Sequence, residues 1–196
     1  MAEKRLTNEE LAEMLRGGSI GVTEFNDYRE ENPNQEIDFS DYNFSGLKLA
    51  ELNLEGPIKL DKTDFAGADL RRASFLGATG FLTSFREADL EEADFTEAIF
   101  LGAQCSEARF IHARLDGATF KEAECVATAF DDTSLIVACF EDADLAEASL
   151  VNAALEYAVF RGANILTANF AGAERLDPEL RCQIIKNLLQ SWEEQT

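Results

Sequence analysis

The sequence is poor in the residues that build most catalytic and metal-binding sites. It contains one histidine, one tryptophan, two methionines and three prolines among 196 residues. Its four cysteines, Cys105, Cys125, Cys139 and Cys182, lack the C-x-x-C spacing of zinc and thioredoxin-like sites. The sequence therefore indicates neither redox chemistry nor a metal centre, and we expect no cofactor.

Basic residues and long apolar runs are also scarce. Lysine and arginine together number 17 against 38 aspartates and glutamates, for a net charge of −21. This excess repels nucleic acid and anionic membranes and favours basic protein partners, so we expect no direct nucleic-acid binding. No stretch approaches the ~20 apolar residues of a membrane span, and the opening MAEKRLTNEELAEML is typical of a charged helix rather than a signal peptide. We expect a soluble, cytoplasmic protein.

A strict five-residue repeat dominates the rest of the chain. Stepping by five from Leu60 to Phe170 gives leucine or phenylalanine at 19 of 23 positions, and the residue two before each is alanine in 18 cases and threonine in four. Neither the 3.6-residue period of a helix nor the 2-residue period of a strand explains this pattern. If five residues form one flat side of a square coil, both residues point inward and the other three face outward. Four sides then close a turn, and residue n stacks on residue n+20 at about 4.8 Å.

The repeat resembles the pentapeptide-repeat family, whose consensus is A(D/N)LXX. The consensus is seen at Ala68-Asp69-Leu70, Ala88-Asp89-Leu90, Ala93-Asp94-Phe95, Ala143-Asp144-Leu145 and Ala168-Asn169-Phe170. It runs through residues 58–172, and four looser pentapeptides centred on Phe39, Phe44, Leu49 and Leu54 precede it, with one extra residue near 56–57. The resemblance implies an all-β solenoid, a right-handed quadrilateral β-helix of about seven coils.

Helical segments are predicted at both ends of this solenoid, because its core needs covering there. We expect an N-terminal helical cap over 1–36, the β-helix over 37–175 and a C-terminal capping helix over 176–196. Thr7 and Glu10 form a predicted capping box, and Asp177-Pro178 is typical of a helix start. The last helix carries an apolar stripe that includes Leu188, Leu189 and Trp192. This stripe either covers its own rod or also pairs with a second copy, and the sequence favours a monomer.

Two inward positions and one outward position are candidates for chemistry. Cys105 and Cys125 stack in adjacent coils at a Cα spacing near 4.8 Å, which a disulfide tolerates. The alternative, which a reducing cytosol favours, is a pair of free core thiols. His112 faces outward beside Glu92 and Asp132 and is interpreted as a solvated surface histidine.

Two outward surfaces are candidate partner sites. Glycine at the central position 80 leaves a hole, so either a bulge turns Phe81 inward, or Phe81 and Leu101 stack outward with Leu82 as an exposed apolar patch. The side that contains Cys105 predicts an acidic stripe, with Arg86 as its single base. Its acids are Asp64, Glu87, Glu107, Glu124, Asp144 and Glu147.

These patterns predict a non-enzymatic protein-binding, scaffold or regulatory module that presents flat acidic faces. Flat sides do not assemble the concave site that an enzyme needs. The family resemblance implies an alternative, a mimic of the shape and charge of DNA that binds a type II topoisomerase such as gyrase. It also implies a third class, a regulator of a particular bacterial protein. Scattered arginines such as Arg71, Arg72 and Arg109 weigh against the mimic.

Overall fold

The computed structural model describes residues 5–33, 35–55 and 58–193, with side chains up to residue 187. Its helices are α1 (Asn8–Arg16), α2 (Ser19–Glu31) and α3 (Pro178–Glu193). Its short strands are β1 (Ile37–Asp38), β2 (Ile58–Lys59), β3 (Thr79–Phe81) and β4 (Ile99–Leu101). The strands form one parallel sheet in the order β1-β2-β3-β4. None of the helices in the described ranges is long and apolar enough to cross a membrane.

Parallel pairing between successive coils extends far beyond these strands. Single pairs such as Asp64 with Ser84, Ser84 with Gln104 and Gln104 with Glu124 repeat at an offset of 20 residues. The first coil is longer by one residue, because Asn53 pairs with Ser74 at an offset of 21. The offset has become 20 at Lys59, which pairs with Thr79. The extra residue therefore lies between positions 53 and 59.

Each pentapeptide forms one side followed by a tight turn. Around Phe65, the amide of Ala68 donates to the Phe65 carbonyl at 3.0 Å, and Gly67 between them has a φ of +64°. Asp64, which precedes the central residue, accepts the amide of Ala66 at 2.9 Å. A side-chain acceptor at this position closes an Asx turn. The consensus Asp or Asn is therefore explained by turn geometry.

Stacked aromatic rings fill the interior of the rod. Phe120 and Phe140 stack at a ring-centroid distance of 5.7 Å, and Phe140 and Phe160 at 5.5 Å. Neighbouring columns meet edge to face, as Phe130 does with Phe140 at 78°. These are the preferred geometries for aromatic pairs. The phenylalanine columns predicted from the 20-residue stacking rule are confirmed.

Threonine replaces alanine at four inward positions without leaving a buried hydroxyl unpaired. Each hydroxyl donates to a carbonyl of the preceding coil at 2.7 Å: Thr63 to Phe39, Thr83 to Leu60, Thr128 to Cys105, and Thr133 to Phe110. A buried hydroxyl costs free energy unless it is bonded. Threonine is therefore tolerated because the adjacent coil supplies an acceptor.

Helices α1 and α2 pack closely against each other before the first coil. The capping box predicted at Thr7 and Glu10 is present at the start of α1. Gly21 of α2 lies against α1, where an added Cβ would be 1.7 Å from the carbonyl oxygen of Met14. Only glycine permits this approach. Leu11 and Phe25, one from each helix, are fully buried in the same core as the coils.

Helix α2 also binds the backbone edge of the first coil through polar side chains. The Asn26 amide donates to the carbonyl of Glu51 at 2.8 Å and accepts from the amide of Asn53 at 2.9 Å, as a neighbouring strand would. The Arg29 guanidinium donates to the carbonyls of Gln35 at 3.0 Å and Glu55 at 2.6 Å. Arg29 is 5% exposed, and its burial lowers the pKa of the guanidinium.

Helix α3 lies over the other end of the coils. It begins at Pro178, and the Asp177 carboxylate accepts the Leu180 amide at 2.9 Å. Leu180 is buried, and Gln183 donates to the carbonyl of Ala163 at 3.0 Å. The side chains of the predicted pairing residues Leu188, Leu189 and Trp192 lie outside the described ones.

The double contact of Asn26 provides a test of how α2 is held. Substituting Asn26→Asp removes the donor to Glu51 and sets a carboxylate against a carbonyl, so we expect the free energy of unfolding to fall by about 1–2 kcal/mol. Urea denaturation measures this change. The exposed neighbour Asp27→Asn is the control and should alter stability by less than about 0.5 kcal/mol. Equal midpoints for both variants would contradict the role assigned to Asn26.

Candidate functional site: two adjacent sides of the coil

The 20-residue register divides the outer surface into four sides, which we name after their inward residues in one coil. The Phe100 side is followed along the chain by the Cys105, Phe110 and Leu115 sides. The structure places the predicted partner residues on two of them. Phe81, Leu82 and Leu101 lie on the Phe100 side. The acids Glu87, Glu107, Asp144 and Glu147 lie on the adjacent Cys105 side.

An apolar patch occupies the Phe100 side. Phe81 is 50% exposed and Leu101 40%, and the two residues pair directly across β3 and β4. Ile99 is 45% exposed and Leu82 38% exposed at the margins of the same side. Ile99 belongs to the patch but was not predicted, although its outward position follows from the repeat. We call these four residues the apolar patch.

The structure also distinguishes the two alternatives for Phe81, which points outward without a bulge. The hole expected at Gly80 is occupied by the ring of Phe100 from the next coil. A Cβ on Gly80 would lie 2.8 Å from Phe100 Cε1 and 2.2 Å from the Thr83 hydroxyl. Phe100 also contacts Phe85 edge to face at 5.2 Å. Glycine at position 80 therefore makes room for a neighbouring ring, which explains why Phe81 need not turn inward.

Charges on the Phe100 side balance each other. Over residues 58–162 its outward bases are Lys59, Lys62, Lys121 and Arg161, and its outward acids are Asp61, Glu122, Glu141 and Asp142. Lys121 lies 3.4 Å from Glu141, and Arg161 Nε donates to Glu141 at 3.0 Å. The hydrogen bond from Arg161 lowers the pKa of Glu141. Over these residues this side is therefore neutral in a strongly acidic protein, and the first coil adds Asp38 and Asp41 to it.

The Cys105 side carries a column of exposed glutamates at its corner. Glu87, Glu107 and Glu147 occupy the turn position with φ values of 56°, 62° and 61°, and all three are exposed. Within the described residues none of them forms an ion pair. Ala127 sits between Glu107 and Glu147 in this column and lines a shallow depression there. We call the three glutamates the acidic corner.

Other acids on the Cys105 side are engaged within the chain. Glu124 forms an ion pair with Arg86 at 3.0 Å. The Asp144 carboxylate accepts the amide of Ala146 at 3.1 Å and the Asn164 side chain at 2.8 Å. Asp144 therefore holds a turn and contributes charge, whereas the described residues offer the acidic corner no ion pair.

Arginines neutralise much of the acidity on the remaining sides. Arg71 bonds Asp69 at 2.7 Å and lowers the pKa of that carboxyl, and Arg109 bonds Asp89 at 3.0 Å. Arg114 lies 3.5 Å from Asp94. Arg71 thus bonds Asp69 within its own side, whereas Arg109 and Arg114 pair across coils at the 20-residue offset, which could have revealed these two pairs.

The inward cysteines are free thiols in the structure. Cys105 and Cys125 are fully buried, and this burial, with a hydrogen bond to Cys125, raises the pKa of the Cys105 thiol. Cys139 is half-buried and Cys182 is exposed on α3. The disulfide between Cys105 and Cys125 stays a prediction.

Catalysis and metal binding require clustered titratable or metal-ligating side chains. His112 is exposed on the Phe110 side at a turn with a φ of 58°. In the parts of the chain that the structure describes, no group of three or more His, Cys, Asp and Glu side chains is arranged to hold a metal ion.

The paired coils, the five-residue sides and the stacked core define a parallel β-solenoid. The family model of pentapeptide repeats matches eight copies in residues 58–79, 83–104, 98–135 and 138–174. The chain therefore belongs to the pentapeptide-repeat family, as its sequence resemblance indicated.

Solved structures of this family resemble the chain to differing degrees. HetL, a pentapeptide repeat protein involved in heterocyst differentiation regulation in the cyanobacterium Nostoc sp. strain PCC 7120, is 26% identical, with 73% of this chain and 76% of HetL covered and a TM-score of 0.33. QnrB1, a plasmid-mediated fluoroquinolone resistance protein, is 17% identical, with 78% and 83% covered and a TM-score of 0.46. A protein from the Arabidopsis thaliana thylakoid lumen is 24% identical, with 80% and 79% covered and a TM-score of 0.21. The comparison with curated proteins gives no match.

Substitutions at the adjacent positions Gly80 and Phe81 test which of the two belongs to the core. We expect Gly80→Ala to lower the free energy of unfolding by about 1–3 kcal/mol, because its methyl group would overlap Phe100 and Thr83. Phe81→Gln should change it by less than about 0.5 kcal/mol, because this side chain is outside the core. Urea denaturation of both variants measures the difference. A large loss in Phe81→Gln would show that Phe81 is a core residue.

Thiol reactivity tests the state of the cysteines. Alkylation requires the thiolate, so burial and a raised pKa should protect Cys105 and Cys125 from iodoacetamide at pH 8 while the exposed Cys182 reacts. Mass spectrometry of the native protein should show this order, and unfolding without reductant should release both core thiols. The thermal midpoint should not change with dithiothreitol. Failure of the two thiols to react after unfolding, together with a lower midpoint on reduction, would establish the disulfide.

Proposed function

We propose that this protein is a non-enzymatic binding module that docks a basic protein partner on the acidic corner of its Cys105 side. The observation that carries the proposal is the column formed by Glu87, Glu107 and Glu147. These exposed carboxylates have no ion-pair partners among the described residues, whereas neighbouring acids such as Glu124 pair with arginines. Unpaired charges on a rigid surface favour partners of opposite charge and accelerate their association.

The rod itself supplies the rigidity that this role needs. We propose about seven coils over residues 37–175, with residues 1–36 and 176–196 acting as caps. Support comes from the backbone contacts of Asn26 and Arg29 at one end and of Gln183 at the other. In this arrangement α3 covers its own rod. The acidic corner then presents a fixed spacing of charges to a partner in the cytoplasm.

A second candidate is a DNA mimic that binds a type II topoisomerase such as gyrase. The same acidic corner favours it, since coils about 4.8 Å apart place its carboxylates in one row along the rod, with a gap at Ala127, as phosphates are placed along a duplex. The pairing of Arg71 and Arg109 with aspartates weakens the row on the Phe110 side. A mimic would therefore have to use the Cys105 side.

Charge reversal at the acidic corner tests both candidates. We expect the triple variant Glu87→Lys, Glu107→Lys and Glu147→Lys to lose partners that the unmodified protein retains in affinity capture at about 150 mM salt, where distant charges are screened. The control triple variant Glu92→Lys, Glu97→Lys and Asp132→Lys has the same net charge but alters other sides, and it should keep them. Equal loss in both triples would show that only overall charge matters.

A gyrase supercoiling assay separates the two candidates. Inhibition by the unmodified protein and the control triple, but not by the corner triple, would identify gyrase as the basic partner. No inhibition, with corner-dependent capture of another protein, would leave the general binding module and reject the mimic.

A further inference from the structure

The apolar patch lies on the Phe100 side, whose outward charges balance over residues 58–162, and nothing in the proposed function uses it. Phe81 and Leu101 stand on the regular sheet formed by β3 and β4, so their positions are fixed by the backbone. We propose that the Phe100 side pairs two copies of this chain face to face and antiparallel. The two-fold axis lies in the interface, perpendicular to both rods, at a height between the coil of Phe81 and the coil of Leu101.

Such an axis brings specific residues together. Each outward column of one copy faces the same column of the second copy, with the order of the coils reversed. In a two-fold interface residue i meets residue j, and j meets i. Phe81 therefore meets Leu101 of the second copy, and Leu82 meets Gly102 of the second copy. Gly102 has no side chain, and Leu82 already lies over it within its own chain, where an added Cβ on Gly102 would be 3.0 Å from Leu82 Cδ2. The Leu82 side chains of the two copies therefore meet each other over the Gly102 positions, and the centre of the interface is apolar.

The same operation brings opposite charges together beside the patch. Lys62, one coil before Phe81, meets Glu122 of the second copy, one coil after Leu101. Lys62 is exposed and forms no ion pair within the described part of its own chain. Among the described residues, the base that pairs with Glu122 is Lys121, at a long distance of 4.0 Å. Asp61 meets Lys121 of the second copy in the same way. Each of these pairs occurs twice, which matches charge as well as shape.

Overall charge disfavours two other arrangements of two copies. The Cys105 side has six outward acids and one base, so two such sides repel each other. A parallel pairing on the Phe100 side would set both N-terminal segments side by side, although residues 1–57 contain 13 acids and 5 bases. The antiparallel arrangement separates these segments. It also leaves both acidic corners outward, so the proposed binding function survives in the dimer.

The extent of the contact predicts a weak dimer. Asp41 and Asp142 would face each other at the ends of the overlap, so the favourable contact spans the four coils between them. A contact of this extent belongs to the small end of specific interfaces, below about 1,200 Å² in total, so we expect a weak and transient dimer. This dimer departs from the monomer that the sequence favours, and it does not use α3.

Sedimentation velocity between about 5 and 500 μM protein, at about 150 mM salt, tests the pairing in the full chain. We expect reversible dimerisation, which the double variant Phe81→Gln, Leu101→Gln weakens at least about tenfold without changing net charge or the thermal midpoint. The matched control is Leu76→Gln, which alters a leucine with 38% exposure on a neighbouring side and should leave association unchanged. A monomer at every concentration, or a dimer indifferent to the double variant, would overturn the proposal.

Charge exchange tests the antiparallel register. Lys62→Glu alone and Glu122→Lys alone should each weaken association about three- to tenfold, because each creates two like-charge pairs. The combined variant restores opposite charges across the two-fold axis and should return to within about twofold of the original constant. Additive weakening in the combined variant would reject this register. Partner capture by the acidic corner is measured separately, so the dimer and the binding function can fail independently.

Discussion

The width of one coil side constrains the rest of this structure. Five residues are long enough for two inward side chains, and the interior has room for only one of them to be large. From Thr63 onward alanine or threonine therefore accompanies each central residue, whereas the first coil and the start of the second, next to the N-terminal helices, bury the larger Ile37, Leu52 and Ile58 at this position. The three outward positions carry no packing requirement. Backbone amides and carbonyls that would otherwise be buried without partners are satisfied by the coils above and below. Core, hydrogen bonding and surface are thereby assigned to separate positions in every repeat.

This separation explains how charge is distributed. Aspartate before the central residue closes a turn, as Asp64 does with Ala66. Glutamate at the corner has a positive φ, and its side chain does not close a turn, as in Glu107. The first kind of acid is architectural and occurs, beyond the first coil, on the three sides other than the Phe100 side, whereas the second can collect on one side. The acidic corner and the neutral Phe100 side are therefore independent features of one rigid rod, and a partner on one would not have to displace a partner on the other.

The repeat allowed much of the fold to be predicted, because an offset of 20 residues converts sequence position into spatial position. The stacking of Phe120 on Phe140, the outward position of Leu101 and the grouping of acids beside Cys105 all follow from it. The packing at Gly80 could not be predicted from the repeat, since it depends on which way the Phe100 ring tilts. The contacts of Asn26 and Arg29 also escaped prediction, because α2 lies outside the repeat and its placement depends on tertiary packing. Surface positions are thus predictable within the repeat, but the contacts between the helices and the coils are not.

The contacts of Asn26 have a further consequence for how copies of this protein can grow together. A bare first coil would offer its carbonyl and amide groups as a template on which the last coil of another molecule could continue, and such exposed edges lead to open filaments. The Asn26 amide occupies the carbonyl of Glu51 and the amide of Asn53, and Arg29 occupies the carbonyl of Glu55. Another molecule would have to displace these bonds before it could add a coil here, so α2 disfavours end-to-end growth from this end of the solenoid.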